Sequence, residues 1–165
     1  KKKKKYQEIK QSQKKRMIQK IQSKILTQAG LTQVQVDDAE DGQIINGCLI
    51  LHKNMYEVKA YYSRQDVKYV IATNLTDAST CMFDLCSNLE LIYAPNVEKI
   101  DNGFYGTALT DICFPKLLYI GCSSFQRCQN LINVDLPLCE QIADYAFSIC
   151  NNVKIMNLPR VKSIG

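Results

Sequence analysis

The chain has 165 residues, 46% of them hydrophobic, with 21 Lys or Arg against 16 Asp or Glu, one His and eight Cys. That length allows one domain with a core plus an arm. No apolar run approaches the ~20 residues of a membrane span, and a single His with no Cys-x-x-Cys pair argues against a structural zinc site. The charge is unevenly divided: residues 1–24 carry 11 Lys or Arg against Glu8 alone, whereas the remainder carries 10 basic and 15 acidic side chains, so the basicity belongs to the arm.

Lys1 to Lys5 form a like-charge block expected to stay solvated with little order. From Tyr6 onward, Ile9, Met17, Ile18, Ile21, Ile25 and Leu26 recur at spacings near three and four, which predicts an amphipathic helix over about residues 8–28, stopped at Gly30. Residues 1–30 thus read as a basic amphipathic helical arm. Two uses compete for it. The favoured one packs its apolar stripe on the open end of a repeat stack, which needs its first unit covered. The other lays it on an anionic membrane or a nucleic-acid backbone. Aromatic residues apart from Tyr6 are missing from the arm, which weakens a base-stacking reading.

Residues 31–66 read as an N-terminal cap. Leu31, Val34 and Val36 precede the acidic turn Asp37-Asp38-Ala39-Glu40-Asp41-Gly42. Counted as a calcium loop from Asp37, the turn has Gly42 at the sixth position but only Ala39 at the third and Cys48 at the twelfth, so a solvated turn is expected. Asn46-Gly47 between two apolar runs is a strong hairpin signal.

From Val67 to Gly165 one apolar pattern is written five times, at intervals of 22, 20, 22 and 22 residues. In the clearest copy the apolar positions are Leu131, Val134, Leu136, Cys139, Ile142 and Phe147. A fixed period in the twenties means a unit that cannot bury its own apolar face and must stack on copies of itself. Strands are expected at Val67–Ala72, Leu89–Ala94, Leu109–Phe114, Leu131–Leu136 and Val153–Leu158, parallel and right-handed by the crossover rule. Val134 and Leu136 should face the core, with Phe83, Phe104 and Phe125 stacked on the opposite side. The copy from Leu89 is two residues short, which predicts a tightened turn at Gly103 and Gly106.

The first half of each copy matches Leu-x-x-Leu-x-Leu, and the second half reads Ile-x-x-x-Ala-Phe-x-x-Cys-x-x-Leu, best seen from Ile142 to Val153. That combination resembles the BspA-like leucine-rich repeats of bacterial surface proteins and protist families. The resemblance implies an α/β-type repeat solenoid, predominantly β: a right-handed leucine-rich-repeat stack of parallel strands over residues 67–165, with an N-terminal helix.

Cys86, Cys128 and Cys150 share one repeat offset, Cys139 takes an apolar offset and Cys113 lies on a strand, so a ladder of reduced thiols is favoured over a Cys128–Cys150 disulfide. Nucleophilic schemes would all have to use His52, in a turn, and no Gly-rich phosphate loop is present. No enzyme, metal, cofactor or small-molecule substrate is therefore expected. Asn74-Leu-Thr76 is a formal glycosylation acceptor that decides nothing. No signal-peptide h-region follows the Lys block, which favours a cytoplasmic setting slightly over the cell surface. The chain starts without Met and its fifth copy stops before the expected Phe, which leaves open that it is a piece of a longer array.

The favoured function is a non-catalytic scaffold that binds a protein on the repeat-strand face; the alternative is an adaptor to an anionic surface, membrane or nucleic acid, through residues 1–24. Outward positions on that face are Tyr69, Leu91, Asp111, Asn133 and Ile155 in one row and Ile71, Tyr93, Asp135 and Asn157, with Cys113, in the other. Tyr69, Leu91 and Tyr93 are expected to form an exposed patch beside Asp111 and Asp135.

Overall fold

The computed structural model describes residues 2–165, with side chains described at Ser12 and from Arg16 onward. Helix α1 (Lys2–Ala29) and a short α2 (Gln33–Asp37) precede strands β1 (Ile44–Ile45) and β2 (Cys48–Leu51). The repeat strands follow: β3 (Tyr69–Ala72), β4 (Leu91–Tyr93), β6 (Asp111–Cys113), β8 (Asn133–Asp135) and β10 (Ile155–Asn157). Three two-residue strands lie between them, β5 (Lys99–Ile100), β7 (Tyr119–Ile120) and β9 (Gln141–Ile142), and a fourth, β11 (Ser163–Ile164), follows the last.

The hairpin β1–β2 turns at Asn46 and Gly47, both at positive φ, as a two-residue primed turn requires. From β2 on, all pairings are parallel. The seven-stranded sheet runs β1-β2-β3-β4-β6-β8-β10, and the short strands form a second sheet, so the chain is a parallel-strand β-solenoid of about five turns with an N-terminal helix. Registers pair Tyr69 with Leu91, Leu91 with Asp111, Asp111 with Asn133 and Asn133 with Ile155, the row expected from the repeat offset.

The core lies between the two sheets. Ile92, Ile112, Phe114, Val134 and Leu136 point into it and are buried, while Val97, Leu117 and Cys139 meet them from the turns. Phe83, Phe104, Phe125 and Phe147 stack at 5.3 Å between successive ring centroids, and Tyr61 continues the column at 5.9 Å from Phe83. Tyr61 thus does the work of a Phe one repeat earlier. Each copy needs a bulky planar group there because only stacking on the next copy removes it from water.

Thiols form a second column. Cys86 donates to the Tyr61 carbonyl, Cys128 to that of Phe104 and Cys150 to that of Phe125, at 3.0–3.2 Å. In the short copy Thr107 takes the Cys position and its hydroxyl donates to the Phe104 carbonyl at 3.1 Å. None of the eight cysteines is joined in a disulfide. Burial pushes the Cys86 thiol up to about 11 and that of Cys48 to about 12.

The corners show what the apolar pattern does not encode. Lys59, Cys81, Asn102, Ser123 and Tyr145 all have φ of 49–59°, and Ser63, Leu85, Gly106, Arg127 and Ile149 all have φ of 57–67°. Two left-handed residues per turn, joined by Thr80 as a third in the turn of Cys81, bend the chain so that its N–H groups reach the next copy: Phe83 donates to Gly103, Phe104 to Ser124 and Phe125 to Ala146. Turns of this kind are ordinarily written with Gly or Asn, and most of these positions carry neither, so the stack supplies what local preference does not. In the short copy Gly103 is required, because a Cβ there would sit 2.0 Å from the Ala78 carbonyl oxygen.

Two expectations about the N-terminal residues are corrected. Helix α1 begins at Lys2 and continues through the Lys block expected to fray, since a helix anchored downstream propagates at little cost through good helix formers such as Lys. Residues 33–37, read as an approach to the acidic turn, form α2. Thr32 and Gln35 make a reciprocal capping box, visible in the sequence as Thr-x-x-Gln.

Two outcomes follow. Phe125→Ala, at a fully buried ring stacked on both sides, should cost about 3–5 kcal/mol, read as a lower urea midpoint. Ser123→Gly, which relieves a left-handed residue, should raise stability by up to about 1 kcal/mol in the same titration, the flexibility of Gly offsetting part of the gain.

Candidate functional site

The outward side of the seven-stranded sheet is built by the repeat register, which places every second residue of β3, β4, β6, β8 and β10 on one surface. Its chemistry changes midway. Over β2 to β4 the outward residues are Cys48, Ile50, Tyr69, Ile71, Leu91 and Tyr93; over β6 to β10 they are Asp111, Cys113, Asn133, Asp135, Ile155 and Asn157.

Helix α1 lies on the apolar half. Ile18, Ile21, Ile25 and Ala29 are buried against Cys48, Ile50, Tyr69, Ile71, Leu91 and Cys113, with Met17, Leu26 and Tyr93 at the margin. This layer is separate from the core between the sheets. The favoured expectation that the helix covers the open end of the stack is therefore corrected, and so is the exposed patch: Tyr69 is 4% and Leu91 1% exposed, and Tyr93 is half-buried. The physical reason is the same for both. An apolar stripe at Ile18, Ile21 and Ile25 and an apolar sheet face each need a partner, and a short link through Gly30 brings them together.

A few polar contacts fix the helix. Asn46 Nδ2 donates to the Ala29 carbonyl at 3.0 Å, holding the helix C-terminus over the hairpin. Lys24 Nζ lies 3.5 Å from Asp111 Oδ2 at the boundary between the two halves.

Beyond α1 the face is an ordered acid–amide shelf. Asn133 Nδ2 donates to Asp111 Oδ1 and Asn157 Nδ2 to Asp135 Oδ1, each at 2.5 Å and each across one strand spacing. Thr110 Oγ1 donates to Asp111 Oδ2 at 2.9 Å, and Cys113 Sγ lies 3.6 Å from Asp135 Oδ2. Ile155, at 61% exposure, ends the row. The structure thus brings Asp111, Asn133, Asp135, Asn157 and Ile155 together on an open surface and places Tyr69, Ile71 and Leu91 under the helix, with Tyr93 between. The outward residues switch from apolar to polar between Tyr93 and Asp111, and that switch was the signal, present in the sequence, that part of the face is covered.

The acidic turn is a structural tie. Asp41 accepts from the Tyr56 hydroxyl, the His52 backbone N–H and Lys53 Nζ, the last two at 2.8 and 2.9 Å, while a ring nitrogen of His52 lies 2.9 Å from the Ala39 carbonyl oxygen. His52 is held as part of this turn. Among the described residues no three His, Cys, Asp or Glu gather as metal ligands, and no described helix is long and apolar enough to cross a membrane.

Burial alone would raise the Asp41 carboxyl, but the Tyr56 hydroxyl, the His52 amide and the Lys53 ammonium outweigh it and hold the group well below the usual carboxylate range. A depressed acid stabilises the fold above its unfolded value near ~3.9, and that contribution is lost as pH falls below it. Asp41→Asn should therefore lower the melting temperature at pH 7, with the difference from wild type shrinking below about pH 4. Ile25→Ala, at a fully buried position under α1, should cost about 2–5 kcal/mol in urea unfolding and speed amide exchange across residues 17–29.

The family model for the BspA type leucine rich repeat region matches residues 54–165, in six copies. The match begins before Val67, so it takes in residues 54–66, read from the sequence as part of the N-terminal cap, together with the five regular copies. No curated protein and no solved structure matches the chain.

Proposed function

Since the chain belongs to the BspA-type leucine-rich-repeat family, whose repeats generally mediate protein–protein interaction and are typically non-catalytic, we propose that it is a scaffold that takes a protein partner on the repeat-strand face. The observation that carries this reading is the shelf over β6, β8 and β10. Asp111 and Asp135 are each held by an amide from the next strand, so their rotamer entropy is already spent before a partner arrives. Tyr93 and Ile155 flank the acids with apolar surface, an arrangement suited to a partner offering basic or donor groups around an apolar anchor. Three strands at about 4.8 Å make a narrow strip, small against the ~800 Å² per partner of a standard interface. Affinity then depends on anchors more than on area.

The alternative, an adaptor that holds an anionic membrane or nucleic acid through residues 1–24, draws support from the long basic helix alone. The two are separated by pull-down from the native source with the full chain. Asp111→Lys with Asp135→Lys should reduce partner capture about tenfold or more, whereas Leu118→Ala with Tyr145→Ala, exposed side chains beside β7 and β9, should leave it unchanged. Capture that survives the first pair but falls steeply with salt and is lost on removing residues 1–16 would transfer the function to the arm.

A further inference from the structure

The α1-covered half of the face shows what kind of ligand the sheet accepts, because it already holds one. Ile18, Ile21, Ile25 and Ala29 follow one helix stripe, at spacings of three, four and four, and sit on a floor of Ile50, Tyr69, Ile71 and Leu91. We propose that this floor is a helix-binding groove occupied in cis by α1, and that the partner, on the reading of the strand face given above, is a basic amphipathic helix with β-branched residues at i, i+3 and i+7 that takes the place of α1.

Three observations carry the exchange. First, the solenoid core closes without α1: the residues between the sheets form one cluster and the helix layer another, so withdrawing the helix uncovers a surface and leaves the core packed. Second, the helix is held mainly by apolar contact. The polar ties among the described residues are Asn46 to the Ala29 carbonyl, Gln22 to Gln33 and the Lys24–Asp111 pair, whose lysine is 46% exposed. Nondirectional contact is what another helix with the same stripe can reproduce. Third, α1 joins the fold through Gly30, exposed, at φ +64° and with nothing within 4 Å of the place a Cβ would take, so the chain can redirect there at the cost of the bond from the Leu31 N–H to the Leu26 carbonyl.

The charge of the incoming helix follows from the edge of the groove. Lys24 occupies the position one residue before Ile25 and reaches Asp111, and Asp135 lies in the adjoining row. A partner helix with a basic residue at the matching place reproduces that pair, and further basic groups beyond it meet the shelf. The cis helix acts as a competitor at an effective concentration in the millimolar range, so a partner displaces it only by adding contacts that α1 does not make.

The test uses the full chain and a fluorescein-labelled peptide of residues 12–31 of this sequence, followed by fluorescence anisotropy. Ile21→Glu in the chain should loosen α1 and raise affinity for the wild-type peptide at least about tenfold over the wild-type chain, and a peptide carrying the same substitution should not bind. Should that variant fail to fold by circular dichroism, Lys24→Glu, which leaves the apolar stripe intact, should still raise affinity at least about threefold. An Asp111→Lys chain should prefer the peptide carrying Lys24→Glu. Equal binding by the wild-type and loosened chains, or no binding by either, would overturn the groove. Chains that pair by exchanging α1, seen as an Ile21-dependent dimer in light scattering, would overturn a separate partner in favour of a second copy. Partner capture that depends on Asp111 and Asp135 while the peptide never binds would leave the strand-face reading standing and remove only its helical ligand.

Discussion

Each turn of this molecule has to lay its backbone groups over the same groups of the turn before, and that in-register stacking is what everything else depends on. The parallel pairs keep one residue row above another from Tyr69 to Ile155, and the corners continue the ladder through Phe83, Phe104 and Phe125, whose N–H groups all bond to the following copy. A single copy has neither strand partners nor ring partners. Its burial and its hydrogen bonds arrive together when the next copy lands, which makes stability a sum of neighbour terms.

Stacking also accounts for the tolerance of unfavourable corners. Residues such as Tyr145 and Ile149 lie in a backbone region that their side chains disfavour, and they do so at the same two offsets in each turn. The cost is local and recurs, while the compensation comes from columns of Phe rings and thiols that run the length of the stack. The short copy shows how narrow the tolerance is: two residues are removed, Gly103 admits a carbonyl that any Cβ would block, and the ring spacing stays at 5.3 Å.

Much of this architecture was legible in the sequence because the offsets of Leu131, Val134 and Leu136 repeat in every copy, and a repeated strand must pair in register. The hairpin was legible because Asn-Gly is the signature of its turn. The second sheet was not, since strands of two residues such as Lys99–Ile100 carry no periodicity. Nor were the corners, where Cys81, Ser123 and Tyr145 give no sign of positive φ. The address of α1 was hidden for a different reason. An amphipathic stripe states that a helix has a buried side but not where, and Ile18, Ile21 and Ile25 suit either an open end or a sheet face. The change from Leu91 and Tyr93 to Asp111 and Asn133 on the outward rows could have settled it, had the covered and open halves been read as one statement about solvent.

The thiol column makes the stack its own gauge of local opening. Cys86, Cys128 and Cys150 sit at one offset in three different turns, each with its proton committed to the carbonyl of a ring-bearing residue one turn back, whereas Cys122 is exposed. A thiol must be ionised and accessible to react, so a pulse of alkylating reagent should mark Cys122 at once and reach the buried Cys86 and Cys128 only as their turns part. The order in which those masses appear would then report from which end the solenoid unravels.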